Sequence, residues 1–360
     1  MLLPSSPFVP AIALRWQKNV TELREYEVIR DGNIFRSNLS CSSLFSSEFE
    51  QAQRLKNELL EKYRDEQIET IFPGEDMVTE SGSTFCIHTW HDMPEPLRQD
   101  DYKERILNDL TLIQGIGPVT AHRLRGRGFF GVRDLLYHPK YREEATRFLS
   151  HFDNGEAFSL MEWIGKRHRR SHPLILSVAG GIEKGGFTFL DIETLGIFSR
   201  PIILIGLASL EDGRVHVTQY LLRDIEEEPA ALEATFCRLH ESTAFVSFNG
   251  KSFDIPYLQE RAAYYGMPFP SEVPHFDLLH FSRRRWKGSF PNCRLQTLEK
   301  SLFGIQRELD IPSALVPEFY ESYFSTGSPG PLIPIVEHNR QDVLSLVLLF
   351  HHLVERAPCP

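Results

Sequence analysis

Phe187-Thr188-Phe189-Leu190-Asp191-Ile192-Glu193-Thr194 is the stretch whose reading decides the fold. An apolar run ends in two acids spaced i, i+2, with Gly185-Gly186 before it and Gly196 just after. Such a run predicts a buried strand. Side chains alternate along a strand, so Asp191 and Glu193 share a face, about 6.6 Å apart along its axis. Two ionised carboxylates this close, at the end of an apolar strand, repel each other and lose hydration. A shared proton or a divalent cation relieves both. An isolated D-x-E is more often an ordinary strand end whose acids face water, so the neighbouring segments must decide.

Downstream, Pro201 to Leu210 predicts a second strand, Asp212-Gly213 a hairpin turn, and Arg214 to Leu222 a third strand. Pro229 to His240 has helical spacing, Thr243 to Phe248 is a short buried strand, and Phe253 to Tyr265 reads as a helix. Three antiparallel strands followed by alternating helix and strand predict an α/β fold, a mixed sheet with flanking helices of the ribonuclease-H-like type. In Ser247-Phe248-Asn249-Gly250-Lys251-Ser252-Phe253-Asp254 an acid begins a helix just past a strand end. Ligands bind at such ends in mostly parallel sheets, although the helix dipole alone also favours an acid there. Ile335 to Leu346 forms an amphipathic helix on which His338 and Asp342 stand at i, i+4, beside the stripe of Ile335, Val343, Leu346 and Phe350. An acid and an imidazole bordering a buried stripe need partners. A structural His-Asp pair is one way to supply them.

The order D-x-E, N-x-x-x-F-D, H-x-x-x-D resembles the DEDD superfamily of 3′-5′ exonucleases. Within it, Phe248 to Asp254, Cys293-Arg294-Leu295-Gln296-Thr297-Leu298-Glu299 and Glu337-His338-Asn339-Arg340-Gln341-Asp342-Val343 look like the YprB-type ribonuclease-H-like branch. The resemblance covers about residues 185 to 355. It implies hydrolysis of phosphodiester bonds from a 3′ end, with two Mg²⁺ or Mn²⁺ ions held by Asp191, Glu193, Asp254 and Asp342. His338 would orient or deprotonate the attacking water. Thr194, Leu195, Asn249 and Phe253 match positions that meet the terminal nucleotide in related enzymes. One departure stands out: His338 lies four residues before Asp342, a spacing that tyrosine usually holds, whereas histidine usually stands five before the last acid. Two further functions fit similar motifs: a structure-specific endonuclease, and a catalytically silent nucleic-acid-binding scaffold.

Upstream, Asp109 to Leu124 breaks at Gly115-Ile116-Gly117-Pro118, where glycines permit a tight turn and proline suits the first turn of the next helix. The amides of Gly115 and Gly117 at a helix start can meet a phosphate. This stretch resembles a helix-hairpin-helix motif (about 109–138), with Gly131 to Pro139 as its companion helix; the motif binds nucleic-acid backbones, most often DNA. A plain packing hairpin of two helices is the alternative. Basic clusters stand at Arg123-Arg125-Arg127, Lys166-Arg167-His168-Arg169-Arg170 and Arg283-Arg284-Arg285-Trp286-Lys287, although the formal net charge is −10. Local patches govern the field a phosphate backbone meets, and any one patch can equally be a solvated face.

With 360 residues the chain divides into an N-terminal α+β region (1–100), a helical region with a basic linker (101–172) and the ribonuclease-H-like region (173–360). In the first, Ser40 to Ser47 is a serine-rich break, Glu48 to Lys62 is helical and Met77 to Thr89 suggests a β-hairpin. The pair in His88-Thr89-Trp90-His91-Asp92 lacks a third ligand nearby and reads as a surface loop. Five scattered cysteines suit a reducing compartment. Prolines interrupt the apolar N-terminus, which argues against a signal peptide, and no stretch is long enough to span a bilayer. The expected setting is the cytoplasm, with nucleic acid as partner, DNA favoured and RNA also within the superfamily's range.

Overall fold

The computed structural model describes residues 43–92, 102–196, 199–307 and 311–355. Cys41, Cys359 and the N-terminal prolines lie outside them. Helix α1 (Ser43–Lys62) begins within the serine-rich break and is followed by a single turn, α2 (Ile68–Ile71). Strands β1 (Gly74–Thr79) and β2 (Gly82–Asp92) form the expected hairpin around the turn at Ser81, longer at both ends than the alternation suggested.

A helical unit follows. It comprises α3 (Tyr102–Leu107), α4 (Pro118–Arg125), α5 (Arg142–Asp153), α6 (Ala157–Arg167) and α7 (Pro173–Val178). The turn before α4 has the anticipated chemistry, with Gly115 at φ +82° and Gly117 capping a helix that opens on Pro118. Its flanks differ from two regular α-helices. Leu110–Leu112 and Val132–Tyr137 are 3-10 segments, each with an aspartate satisfying terminal amides. Asp109 accepts from Thr111 N, and Asp134 accepts from Phe130 N and Gly131 N. Short side-chain caps of this kind compete with the α-helical ladder.

The remaining strands are β3 (Phe187–Thr194), β4 (Ile202–Glu211), β5 (Arg214–Leu221), β6 (Ala244–Ser247) and β7 (His275–Asp277). Between and after them come α8 (Glu228–Glu241), α9 (Asp254–Tyr265), α10 (Leu278–Trp286), α11 (Leu295–Leu298), α12 (Val316–Thr326) and α13 (Leu332–Glu355). The strands make one seven-stranded sheet in the order β1-β2-β5-β4-β3-β6-β7. Pairing is antiparallel from β1 to β3 and parallel from β3 through β6 to β7. This is the expected ribonuclease-H-like mixed sheet with helices on both faces. The N-terminal hairpin is part of it, since β2 pairs with β5 from Phe85↔Leu221 to Asp92↔Arg214.

That pairing corrects the loop reading of His88 to Asp92. Trp90 stacks on His216 at a centroid distance of 4.2 Å, and His88 Nδ1 lies 3.1 Å from His216 Nε2. The two histidines belong to a ladder of ring contacts between adjacent strands, which a two-strand alternation within one segment cannot show.

The faces of β3 divide the core. Leu190 and Ile192 pack with α8 and α9 in a cluster including Leu232, Tyr257 and Leu258. Phe187 and Phe189 point the other way, onto Phe350 of α13. That second cluster continues without a break into Ile106, Leu135, Phe148 and Ile164 of the helical unit. No helix of the described residues is long and apolar enough to cross a membrane.

Candidate active site

Alternation puts Asp191 and Glu193 on the Phe189 face of β3, where α13 crosses. The crossing is close because Asp191 pairs with Gly206 on β4, and a Cβ at Gly206 would overlap the Asn339 amide of α13. Asn339 is fully buried. Its Nδ2 donates to Asp191 O at 3.1 Å and to Asp191 Oδ2 at 2.9 Å, while its Oδ1 accepts from Gln219 Nε2 at 2.9 Å. One amide thus fixes β3, β5 and α13 together. His338 and Asp342 flank it on the same helix, and His338 Nε2 lies 3.6 Å from Asp342 Oδ2 and 3.9 Å from Glu193 Oε1.

Asp254 arrives from the other side of the strand end. Its Oδ1 accepts from Ile192 N at 3.2 Å. The Asn249-Gly250 turn makes this possible. Asn249 takes a left-handed φ of +67°, and any side chain at Gly250 would collide with Ser247 and crowd the Asp254 carboxylate. Asp277, at the end of β7, anchors the same turn by accepting from Asn249 N at 2.8 Å and Lys251 N at 3.2 Å.

The acids feel one another. Burial, and then the charges of Asp342, Asp254 and Glu193, hold the Asp191 carboxyl well above the usual carboxylate range, against the Asn339 hydrogen bond. Burial also pushes the Asp254 carboxyl up to about 7, with Asp277 and Glu193 adding to the shift and backbone hydrogen bonds opposing it. The structure therefore brings Asp191, Glu193, Asp254, His338 and Asp342 into one neighbourhood from three elements.

They do not form a finished cage. Among the described residues no group of three or more His, Cys, Asp or Glu side chains is arranged to hold a metal ion. The expected meeting of four acids around two cations is met in neighbourhood only. A physical reason is visible: the carboxylates are engaged elsewhere. Asp342 binds the Arg307 guanidinium, which also donates to Glu299 at 2.9 Å through its Nε and lies 3.4 Å from His338 Nδ1. Asp191 is held by Asn339, and Asp254 by Ile192 N. The donor set still fits hard divalent cations in its chemistry, being carboxylate-rich, largely buried and mutually repelling.

The other candidate residues are more dispersed. Thr194 Oγ1 donates to Gly196 O at 2.8 Å, and Leu195 packs against a cluster with Leu204 and Phe319. Phe253 caps α9 and leans on Tyr257 at 5.6 Å. Gly115 and Gly117 lie in the helical unit at the start of α4. Sequence reasoning missed four residues: Asn339, Asp277, Arg307 and Glu299. Asn339 and Glu299 stand inside quoted motifs, and Asp277 interrupts the otherwise apolar Phe276-Asp277-Leu278-Leu279 run, so a signal existed for three. Arg307 has none, because its partners on α13, His338 and Asp342, stand 31 and 35 residues further along the chain.

Residues 188–354, just under half of the chain, match the family model of the RNase_H superfamily. Among individual proteins, "Uncharacterized protein YprB" of Bacillus subtilis (strain 168) is 33% identical over 234 residues, covering 63% of this chain and 56% of the relative. The match thus spans little more than half of that relative's length. Among solved structures, the family B DNA polymerase from the hyperthermophilic archaeon Pyrobaculum calidifontis has a TM-score of 0.38 at 18% identity over 47% of this chain and 24% of that one. That likeness is too slight to carry an argument.

Proposed function

We propose that the protein is a metal-dependent nuclease, a 3′-5′ exonuclease of the DEDD type acting on DNA. The observation that carries this reading is the gathering of Asp191, Glu193, Asp254 and Asp342, with His338 beside Glu193 and Asp342, at the end of a buried strand where desolvation and mutual repulsion raise the affinity for positive charge. The match of residues 188–354 to the RNase_H superfamily model supports the same chemistry.

In this reading the four acids hold two Mg²⁺ or Mn²⁺ ions, which supply Lewis-acid stabilisation of the charge developing on the phosphate oxygens. His338 Nε2 takes the proton of the attacking water as the new O–P bond forms and the P–O3′ bond breaks, and the released O3′ takes a proton from solvent to become the new 3′-hydroxyl. Asp342 and Glu193, 3.6 and 3.9 Å away, stabilise the imidazolium so produced. Arg307 restrains Asp342 and, through it, the His338 edge of the site. Thr194, Leu195, Asn249 and Phe253 meet the terminal nucleotide, and the Gly115-Gly117 turn meets the backbone of the same nucleic acid.

The test is digestion of 3′- and 5′-labelled single-stranded DNA, duplex DNA, RNA and circular DNA, with Mg²⁺ or Mn²⁺ against chelator. Stepwise loss from 3′ ends is expected. Asp191→Asn and Asp342→Asn should each lower the rate roughly a hundredfold or more while binding persists. Cleavage of circles would replace the exonuclease with a structure-specific endonuclease. Absence of divalent-dependent cleavage with retained binding would leave a nucleic-acid-binding scaffold.

A further inference from the structure

At the seam between the helical unit and the sheet, α6, α7 and the Asn249–Asp254 turn border an open-sided cavity of about 170 Å³ whose lining includes Glu162, Lys166, Arg170, Ile175 and Lys251. Three cationic residues line it against one acidic one. Among the described residues no hydrogen bond or ion pair engages the Lys166 or Lys251 ammonium or the Arg170 guanidinium. Lys251 is the recessed member. Burial lowers its proton affinity, Asp277 and Glu162 counter that, and Arg170 reinforces it. A partly desolvated ammonium beside a guanidinium is an unfavourable arrangement that a bound anion relieves.

Size selects the anion. Sites for whole small molecules occupy roughly 300–1,000 Å³, and a water takes about 30 Å³. The cavity is too small for a nucleotide and suits a single phosphate group with its waters. Position selects the source. Lys251 lies three residues before Asp254 in the turn that delivers this acid, so the two Cα atoms are at most about 11 Å apart. Lys166, in the last turn of α6, and Arg170, just beyond it, belong to one basic cluster, and the nearby His168 and His172 feel the charge of Arg284 on α10. The cavity thus borders the turn that carries Asp254, and two basic clusters far apart in the chain approach each other nearby.

We propose that this cavity is a phosphate subsite for the nucleic-acid strand, gripping one backbone phosphate beside the one being hydrolysed. The strand as source rests on the nuclease reading; the affinity for phosphate does not. Two measurements separate them. In the first, melting temperature is followed in phosphate against chloride at matched ionic strength. Phosphate should raise it for the wild type and not for Lys166→Gln/Arg170→Gln, two exposed positions whose replacement spares the core. In the second, binding of a fluorescent single-stranded oligonucleotide is measured in chelator across a salt series. The slope of log K against log salt should fall by about 0.7 in the double variant, the value for one phosphate. Adding Lys251→Met should lower it no further, since all three charges serve the same group.

An unchanged phosphate response overturns the subsite. A lost phosphate response with an unchanged oligonucleotide slope identifies a free-phosphate site and overturns the strand assignment. A slope that falls again with Lys251→Met overturns the single shared phosphate. Strand binding equal in wild type and variant overturns the strand assignment and leaves the nuclease reading standing, whereas a wild type that binds no oligonucleotide defeats the nuclease reading and the strand assignment together.

Discussion

Asn339 has no charge and no solvent, yet three strands and a helix depend on how its amide is used. It donates to Asp191 and accepts from Gln219, and it fits only because residue 206 lacks a side chain. Gly206→Ala should therefore destabilise the protein by roughly 1–3 kcal/mol, the range for overpacking a close contact, measured by denaturant unfolding. Asn339→Ala makes room for the new methyl while leaving Gln219 and Asp191 without their partner. The double variant should thus cost less than the sum of the singles. Strictly additive losses would show that Asn339 and Gly206 do not meet. The acids around this amide were legible in the sequence because charge inside an apolar run is conspicuous. The amide itself was not, because an asparagine on a helix becomes a clamp only when a glycine 133 residues earlier in the chain opposes it.

At the scale of elements, the best-read segments were those with strong periodicity. β3, β4, β5, α8 and α9 fall within a residue or two of their expected bounds, since apolar runs and a DG turn leave few alternatives. The segments flanking the Gly115 turn read less well, because aspartate caps tighten them into 3-10 turns. The short helix α7 shows how a cap ties an element to pH. His172 accepts from Leu174 N at its start, at 3.4 Å, and stacks on His168 at 4.0 Å. Burial, with the charges of His168 and Arg284, lowers the His172 imidazole to about 4. Its folded pKa thus lies below the unfolded value of about 6.5. The stabilisation is complete above pH 6.5 and is lost as pH falls through 4. Melting temperature should decline over that window more steeply in the wild type than in His172→Asn, whose side chain can cap without titrating. Parallel declines would assign the acid lability to other groups.

For the whole molecule, the sheet extends further than the periodicity of residues 173–360 indicates. A hairpin can be recognised from its own alternation, but its partner strand cannot, so the docking of β2 on β5 was not legible. Without that hairpin β5 becomes an edge carrying unpaired backbone groups, the kind that recruits other chains. A fragment beginning at residue 173 should therefore associate or precipitate, whereas one beginning at residue 43 should elute as a discrete species on size exclusion. A well-behaved monomer from residue 173 onward would show that the hairpin is dispensable for solubility.

The β2–β5 pairing also has a consequence in time. Asp92 and its partner Arg214 are 122 residues apart, so the hairpin leaves the ribosome long before its template exists. At 5–20 residues per second that interval is roughly ten seconds, far longer than a hairpin needs to form and dissolve. The earliest part of the sheet to be made must be among the last to settle, and a newborn chain carries it as an open edge throughout the wait.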